Sequence, residues 1–354
     1  MISQAFLARV QHNLTCSPKG PYCLDLALSS SCNLDCLYCS GKISAKPKDL
    51  LSKDTLLRLL DSAQALGVKE ISLTSLIGEP TVFKNLRFLM GEIKKRGFFG
   101  TLLTNGSRLD EDFAKFLKEI GWDIIIVSID SFSDDIQYQL RPMPGKQKYL
   151  EAIHRFLRYS AEQNPRVHLN FNMVVNKLNY AYVKDYFRIV DSYNAKNVTL
   201  LKLVRMNEQY DALSLHDEEM QSFRALLSEI ETKVTFNRLE WIEKAPDGRD
   251  SHRPVQHSPL KKICYFHLYK LLINCDGQVL KCNGDPLKTK FNVIRDDLEK
   301  IYGRILSEYE FLREYPYCYE SCCSPIKQLN QELEYYLEGD GVEKKAGCHE
   351  PDER

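Results

Sequence analysis

Residues 22–42 read YCLDLALSSSCNLDCLYCSGK, a strand-like run that passes through serines into three cysteines, Cys32, Cys36 and Cys39, within eight positions. Three soft thiolate donors thus sit on one short loop just after a strand. A redox dithiol needs only C-x-x-C, and a tetrahedral zinc site needs a fourth ligand. Three thiols suit a four-iron, four-sulfur cluster with one iron left open. The spacing alone leaves zinc as an alternative.

The whole chain supports a metal reading of these thiols. Lysine plus arginine equals aspartate plus glutamate at 48 each in 354 residues, so no net charge draws the protein to nucleic acid or an anionic membrane. The N-terminus lacks the apolar core of a signal peptide, and no apolar run is long enough to span a bilayer. The expected location is cytoplasmic, where clustered cysteines bind metal or do redox chemistry more often than they form disulfides. Of twelve cysteines, five precede residue 40 and seven lie between Cys264 and Cys348, flanking a cysteine-free body.

That body alternates in period. Runs 22–29, 70–76, 99–105, 123–130, 167–175 and 197–204 have strand character. Between them, SKDTLLRLLDSAQAL, NLRFLMGEIKKR, DEDFAKFLKEI, KYLEAIHRFLRYSAEQ and NYAYVKDYFRIVDSY carry apolar residues at helical spacing. Six strands with long returns predict right-handed βαβ units and a parallel sheet, either an open doubly wound sheet or a partial barrel. HDEEMQSFRALLSEIET predicts an amphipathic helix, EKAPDGRDSHRPVQHSPLKK a linker, and Asp276-Gly277 between apolar runs a hairpin.

With Tyr38 ahead of the third cysteine, the C-x-x-x-C-x-x-C loop resembles the signature of radical S-adenosylmethionine (radical SAM) enzymes. Further segments are similar to that family in the same order. Gly78-Glu79-Pro80 closes the second predicted strand like the family's glycine-glycine-glutamate-proline segment, whose backbone receives the SAM amino group. Ile77 stands in place of its first glycine. Thr104-Asn105 ends the third strand, and Ser128 with Asp130 ends the fourth, like the segments near the ribose and methionyl moiety. Arg141 resembles the partner of the SAM carboxylate, and NFNMVVN is similar to the family's fifth strand, which implies that Asn172 faces the cofactor. A lone GEP or TNG is a weak signal, but four ordered matches at strand ends are hard to obtain by accident. The resemblance covers residues 20–205. It implies an α/β fold with a partial (β/α)6 barrel, SAM and a [4Fe-4S] cluster on Cys32, Cys36 and Cys39. It also implies cleavage of SAM to methionine and a 5′-deoxyadenosyl radical, with an electron donor such as flavodoxin or ferredoxin.

Cys264, the hairpin signal and Cys282 resemble the opening of the auxiliary-cluster region called SPASM, or its shorter form, twitch. The resemblance implies one auxiliary [4Fe-4S] cluster on Cys264, Cys282, Cys318 and either Cys322 or Cys323, in a small C-terminal cysteine-rich α+β domain. Zinc is the structural alternative there. Cys16, Cys23 and Cys348 carry no assigned role and read as small buried hydrophobes. Cys275, beside the hairpin, is a candidate hydrogen-atom donor. The expected domains are a 1–20 extension, a 21–210 barrel, a 211–262 helical or linker segment and a 263–354 auxiliary-cluster domain.

The implied activity is hydrogen abstraction from a ribosomally made peptide or natural product, giving oxidation, crosslinking or epimerisation. Alternatives are a sugar or aminocyclitol dehydrogenase or epimerase, and a methyltransferase or lyase with a structural second site. A non-catalytic iron–sulfur or zinc scaffold would keep the cysteines without needing SAM-like strand ends. The twenty residues ahead of the first strand are too few for a leader-binding domain, so no built-in one is expected.

Overall fold

The computed structural model describes residues 20–39, 49–74, 78–145, 149–203, 208–237, 269–280 and 288–307. Two compact units divide the chain, one formed by Met1–Leu26, Leu50–Ser72 and Arg253–Arg354, the other by Ala27–Asp49 and Leu73–His252. The chain passes between them within strands β1 (Cys23–Ala27) and β2 (Glu70–Thr74).

In the first unit, helix α1 (Lys53–Ala65) starts at Ser52, whose hydroxyl accepts from Thr55 N at 3.1 Å. Such a cap contributes about 1 kcal/mol. Strand β8 (Lys270–Ile273) pairs in parallel with β1, Cys23 opposite Lys270 and Leu26 opposite Ile273. Lys270 Nζ meets the buried Asp25 carboxylate at 3.0 Å across this pairing. Strands β9 (Gln278–Leu280) and β10 (Lys288–Asn292) continue antiparallel. The predicted hairpin is present at Asp276-Gly277. Gly277 has φ +79°, and its N–H donates to Asn274 O at 2.8 Å. Helix α9 (Leu298–Ser307) follows β10.

The second unit holds β3 (Phe99–Thr104), β4 (Ile124–Ser128), β5 (His168–Val175) and β6 (Asn197–Lys202), each parallel to its neighbour. Helices α2 (Leu86–Lys95), α3 (Glu111–Ile120), α4 (Asp134–Leu140), α5 (Leu150–Gln163) and α6 (Val183–Ser192) form the returns, before α7 (Glu208–Leu213) and α8 (Asp217–Ser228). One sheet face is fully buried through Leu102, Ile125, Val127, Leu169, Phe171, Met173, Val198 and Leu200. The alternate positions Ile126, Ser128, Asn170, Asn172, Val174 and Thr199 are half-buried. Burial on one face and partial opening on the other follow from the two-residue strand period. Asp110 caps α3 by accepting from Phe113 N at 2.8 Å, and Gly121 ends it at φ +65°.

The fold is the expected α/β arrangement of a partial barrel followed by a smaller C-terminal region, and each of the six predicted strands and five predicted helices is present. Several features were not foreseen, α7, α9 and β10 among them. Helix α4 lies between β4 and α5, a two-residue strand β7 (Thr235–Phe236) extends the sheet beyond β6, and β8 joins β1. The pairing of β8 with β1 also means that the units are not consecutive in sequence. Among the described residues, no helix is long and apolar enough to cross a membrane.

Candidate functional site

The site is built from loops that follow β1 to β5, the C-terminal strand ends where parallel β/α folds place their chemistry. Leaving β1, the chain is pinned at its base by Asp49. Its carboxylate accepts from Ser29 Oγ at 2.7 Å and Ser30 N at 2.8 Å. Farther along, Asp35 N donates to Pro142 O at 2.8 Å and Leu37 N to Leu140 O at 3.0 Å, docking the loop on the end of α4.

The three thiols of this loop are free and half-exposed as residues. Cys32 Sγ accepts from Leu34 N at 3.4 Å and Asn105 Nδ2 at 3.7 Å, N–H groups of the kind that favour thiolate. Burial nevertheless raises the Cys32 pKa, and it pushes the Cys36 thiol up to about 12 despite the opposing Arg141 guanidinium. Binding of a metal displaces the protons of such thiols. Among the described residues, no three His, Cys, Asp or Glu side chains group as ligands of one metal ion. Three thiols on one short loop are the soft donor set taken by a [4Fe-4S] cluster with one open iron, so the residues present fit the group that the motif implies.

Behind the loop lies Glu79, 2% exposed. Its Oε1 accepts from Thr81 N at 3.0 Å, Thr81 Oγ1 at 2.7 Å and Thr104 Oγ1 at 2.6 Å, while Oε2 accepts from Asn105 N at 2.7 Å. The carboxylate therefore ties the end of β2 to the end of β3. Gly78 permits this because a Cβ there would lie 2.1 Å from Ser29 O. Asn105 extends the tie by donating from Nδ2 to Asn33 Oδ1 at 3.2 Å, as Asn33 donates to Ser107 Oγ at 2.8 Å.

A second node centres on Asp130, which is 0% exposed. Arg141 grips it twice, Nε to Oδ2 at 2.8 Å and Nη2 to Oδ1 at 3.0 Å. Val174 N donates to Oδ1 at 2.8 Å, and the Tyr38 hydroxyl donates to Oδ2. The Arg141 guanidinium also lies 5.6 Å from the centre of the Tyr38 ring. Gln137 Oε1 accepts from Asp130 N and Ser131 N, both at 3.0 Å, and Gln137 Nε2 donates to Tyr149 Oη at 3.0 Å.

The sequence-derived residues Tyr38, Gly78, Glu79, Pro80, Thr104, Asn105, Asp130 and Arg141 thus occur in two hydrogen-bonded nodes or their loops. Ser128 and Asn172 are register partners on the half-buried sheet face. Asp49, Asn33, Ser107, Gln137 and Tyr149 escaped the sequence reading because no spacing rule marks a long-range acceptor. Cys275 is 1% exposed in the first unit's hairpin, and its carbonyl accepts from Leu50 N at 2.8 Å. Cys264, Cys282, Cys318, Cys322 and Cys323 lie outside the described residues.

Comparison with known proteins finds relatives of this chain. Residues 26–190 match the Radical SAM superfamily. The chain is 29% identical to the probable GTP 3',8-cyclase of Thermococcus kodakarensis over 185 residues, 52% of this chain and 56% of that protein. It is 26% identical to the PqqA peptide cyclase of Gluconobacter oxydans over 272 residues, 75% of this chain and 71% of that one. Streptococcus suis SuiB bound to S-adenosylmethionine shares the fold with TM-score 0.63 and 16% identity, covering 92% of this chain and 75% of SuiB.

Proposed function

With residues 26–190 matching the Radical SAM superfamily, we propose that this chain is a radical SAM enzyme that takes hydrogen from a peptide, leading to oxidation, crosslinking or epimerisation. The observation that carries the reading is a loop of three free thiols held by the ends of β3, β4 and α4. The family implies SAM and a [4Fe-4S] cluster, and the described residues fit both. When bound, the reduced cluster supplies the electron that cleaves SAM to methionine and a 5′-deoxyadenosyl radical.

The chain's own groups hold and orient. Cys32, Cys36 and Cys39 are the cluster ligands. The backbone at Gly78, Glu79 and Pro80 takes the amino group, with Ser128 and Asn172 facing the remainder of SAM from the half-buried sheet face. Thr104 acts through Glu79, to which its hydroxyl donates. Arg141 acts through Asp130, because two of its nitrogens are committed there.

A peptide substrate is favoured by the similarity to the peptide cyclase. Its 272 aligned residues run beyond the 165 residues of the 26–190 match. The reading includes an auxiliary [4Fe-4S] cluster on Cys264, Cys282, Cys318 and Cys322 or Cys323, and reduction by flavodoxin or ferredoxin.

Anaerobic reconstitution with iron and sulfide, followed by reduction in the presence of SAM, tests this. The expected result is 5′-deoxyadenosine with about eight irons per chain, falling to about four irons and no deoxyadenosine when Cys32, Cys36 and Cys39 are replaced by alanine. Iron binding with intact SAM, or zinc in place of iron, would refute the enzyme reading. Stimulation of cleavage by GTP and not by a pool of peptides would refute the substrate class.

A further inference from the structure

We infer that the Tyr38–Asp130 contact is a positioning element that presets Cys36 and Cys39 for the cluster. This rests on the cluster reading above. Asp130 is oriented independently of the cysteine loop, since Arg141 Nε and Nη2 and Val174 N hold both carboxylate oxygens at 2.8–3.0 Å. It is therefore a fixed acceptor waiting at the end of β4. The Tyr38 hydroxyl is the one donor on the cysteine loop that reaches it among the described residues.

Tyr38 directly precedes Cys39 and lies two positions after Cys36, so fixing its ring confines both thiols. The flanking bonds from Asp35 N to Pro142 O and from Leu37 N to Leu140 O dock the same half of the loop on α4. Cys32 is held separately, by Asn105 on the β3 side. The three ligands thus hang from two supports. Among the described residues, the phenolic hydroxyl alone bonds the half of the loop carrying Cys36 and Cys39 to Asp130.

The test is Tyr38→Phe in the reconstituted full chain, which removes one oxygen and leaves the Arg141–Asp130 pair intact. Wild-type protein must first show a reduced-cluster EPR signal that changes on adding SAM; without it the cluster reading itself fails, separately from this proposal. Given that signal, Y38F is expected to lose its cluster to a chelator about tenfold faster and to show an altered SAM-dependent spectrum. Cluster-free Y38F should melt at the wild-type temperature. Chelator rates and spectra indistinguishable from wild type would overturn the proposal. So would a lowered melting temperature with unaltered spectra, which would make the contact merely structural.

Discussion

Gly78→Ala tests whether the close approach of the β2 end to the cysteine loop matters. A Cβ at this position would lie 2.1 Å from Ser29 O, 2.8 Å from Ser31 O and 2.9 Å from Ser29 C. Ordinary non-bonded contact lies near about 3.5 Å, so backbone must move by more than about 1 Å. The first bond at risk is Glu79 N to Ser31 O, at 2.8 Å. Overpacking of this kind costs about 1–3 kcal/mol, and a lost buried hydrogen bond adds about 1 kcal/mol. A loss of about 2–4 kcal/mol is expected, together with reduced iron loading, because Glu79 carries Thr104 and Asn105 with it. Gly91→Ala is the control. Gly91 lies in α2, where an added Cβ would meet nothing within 4 Å, so alanine there should stabilise by about 0.5–1 kcal/mol. Urea unfolding followed beside iron content reads both effects. G78A that unfolds within about 0.5 kcal/mol of wild type and loads iron fully would refute the reasoning.

Glu79→Gln replaces an acceptor with a donor, and one of the four donors around this carboxylate must then face an N–H group. A loss of about 1–3 kcal/mol in urea unfolding and weaker SAM binding are expected, and unchanged SAM affinity would count against the node. Asp130→Asn strands the buried Arg141 charge, with an expected loss of about 3–5 kcal/mol; a neutral result would mean the ion pair is dispensable. Burial pushes the Tyr149 phenol from its ordinary 10.0 up to about 12, with Gln137 and Arg141 pulling it down. Because the folded pKa is raised, this stabilisation is fully present below pH 10 and is lost as pH climbs toward 12. Tyr149→Phe should flatten the fall of stability across that window, and an unchanged slope would show that other groups set it.

The sequence by itself determined the repeating elements and the chemistry of the first loop. Periods of two and of about 3.6 are local, so strands such as 99–105 and helices such as DEDFAKFLKEI were legible to within a residue or two. The spacing of Cys32, Cys36 and Cys39 is local as well, as is the Asp276-Gly277 turn, which needs a positive φ. Helix α4 was hidden because DDIQYQL is too short to display a periodic apolar face. Tertiary structure alone decided the partners. Tyr38 and Asp130 are 92 positions apart, and Asp25 and Lys270 are 245 apart. Arg141 illustrates the difference: its place in the chain suggests a ligand for SAM, and only the fold shows that its guanidinium also lies against Asp130. A buried carboxylate must find donors wherever the fold brings them, and no local pattern records which side chain will supply them.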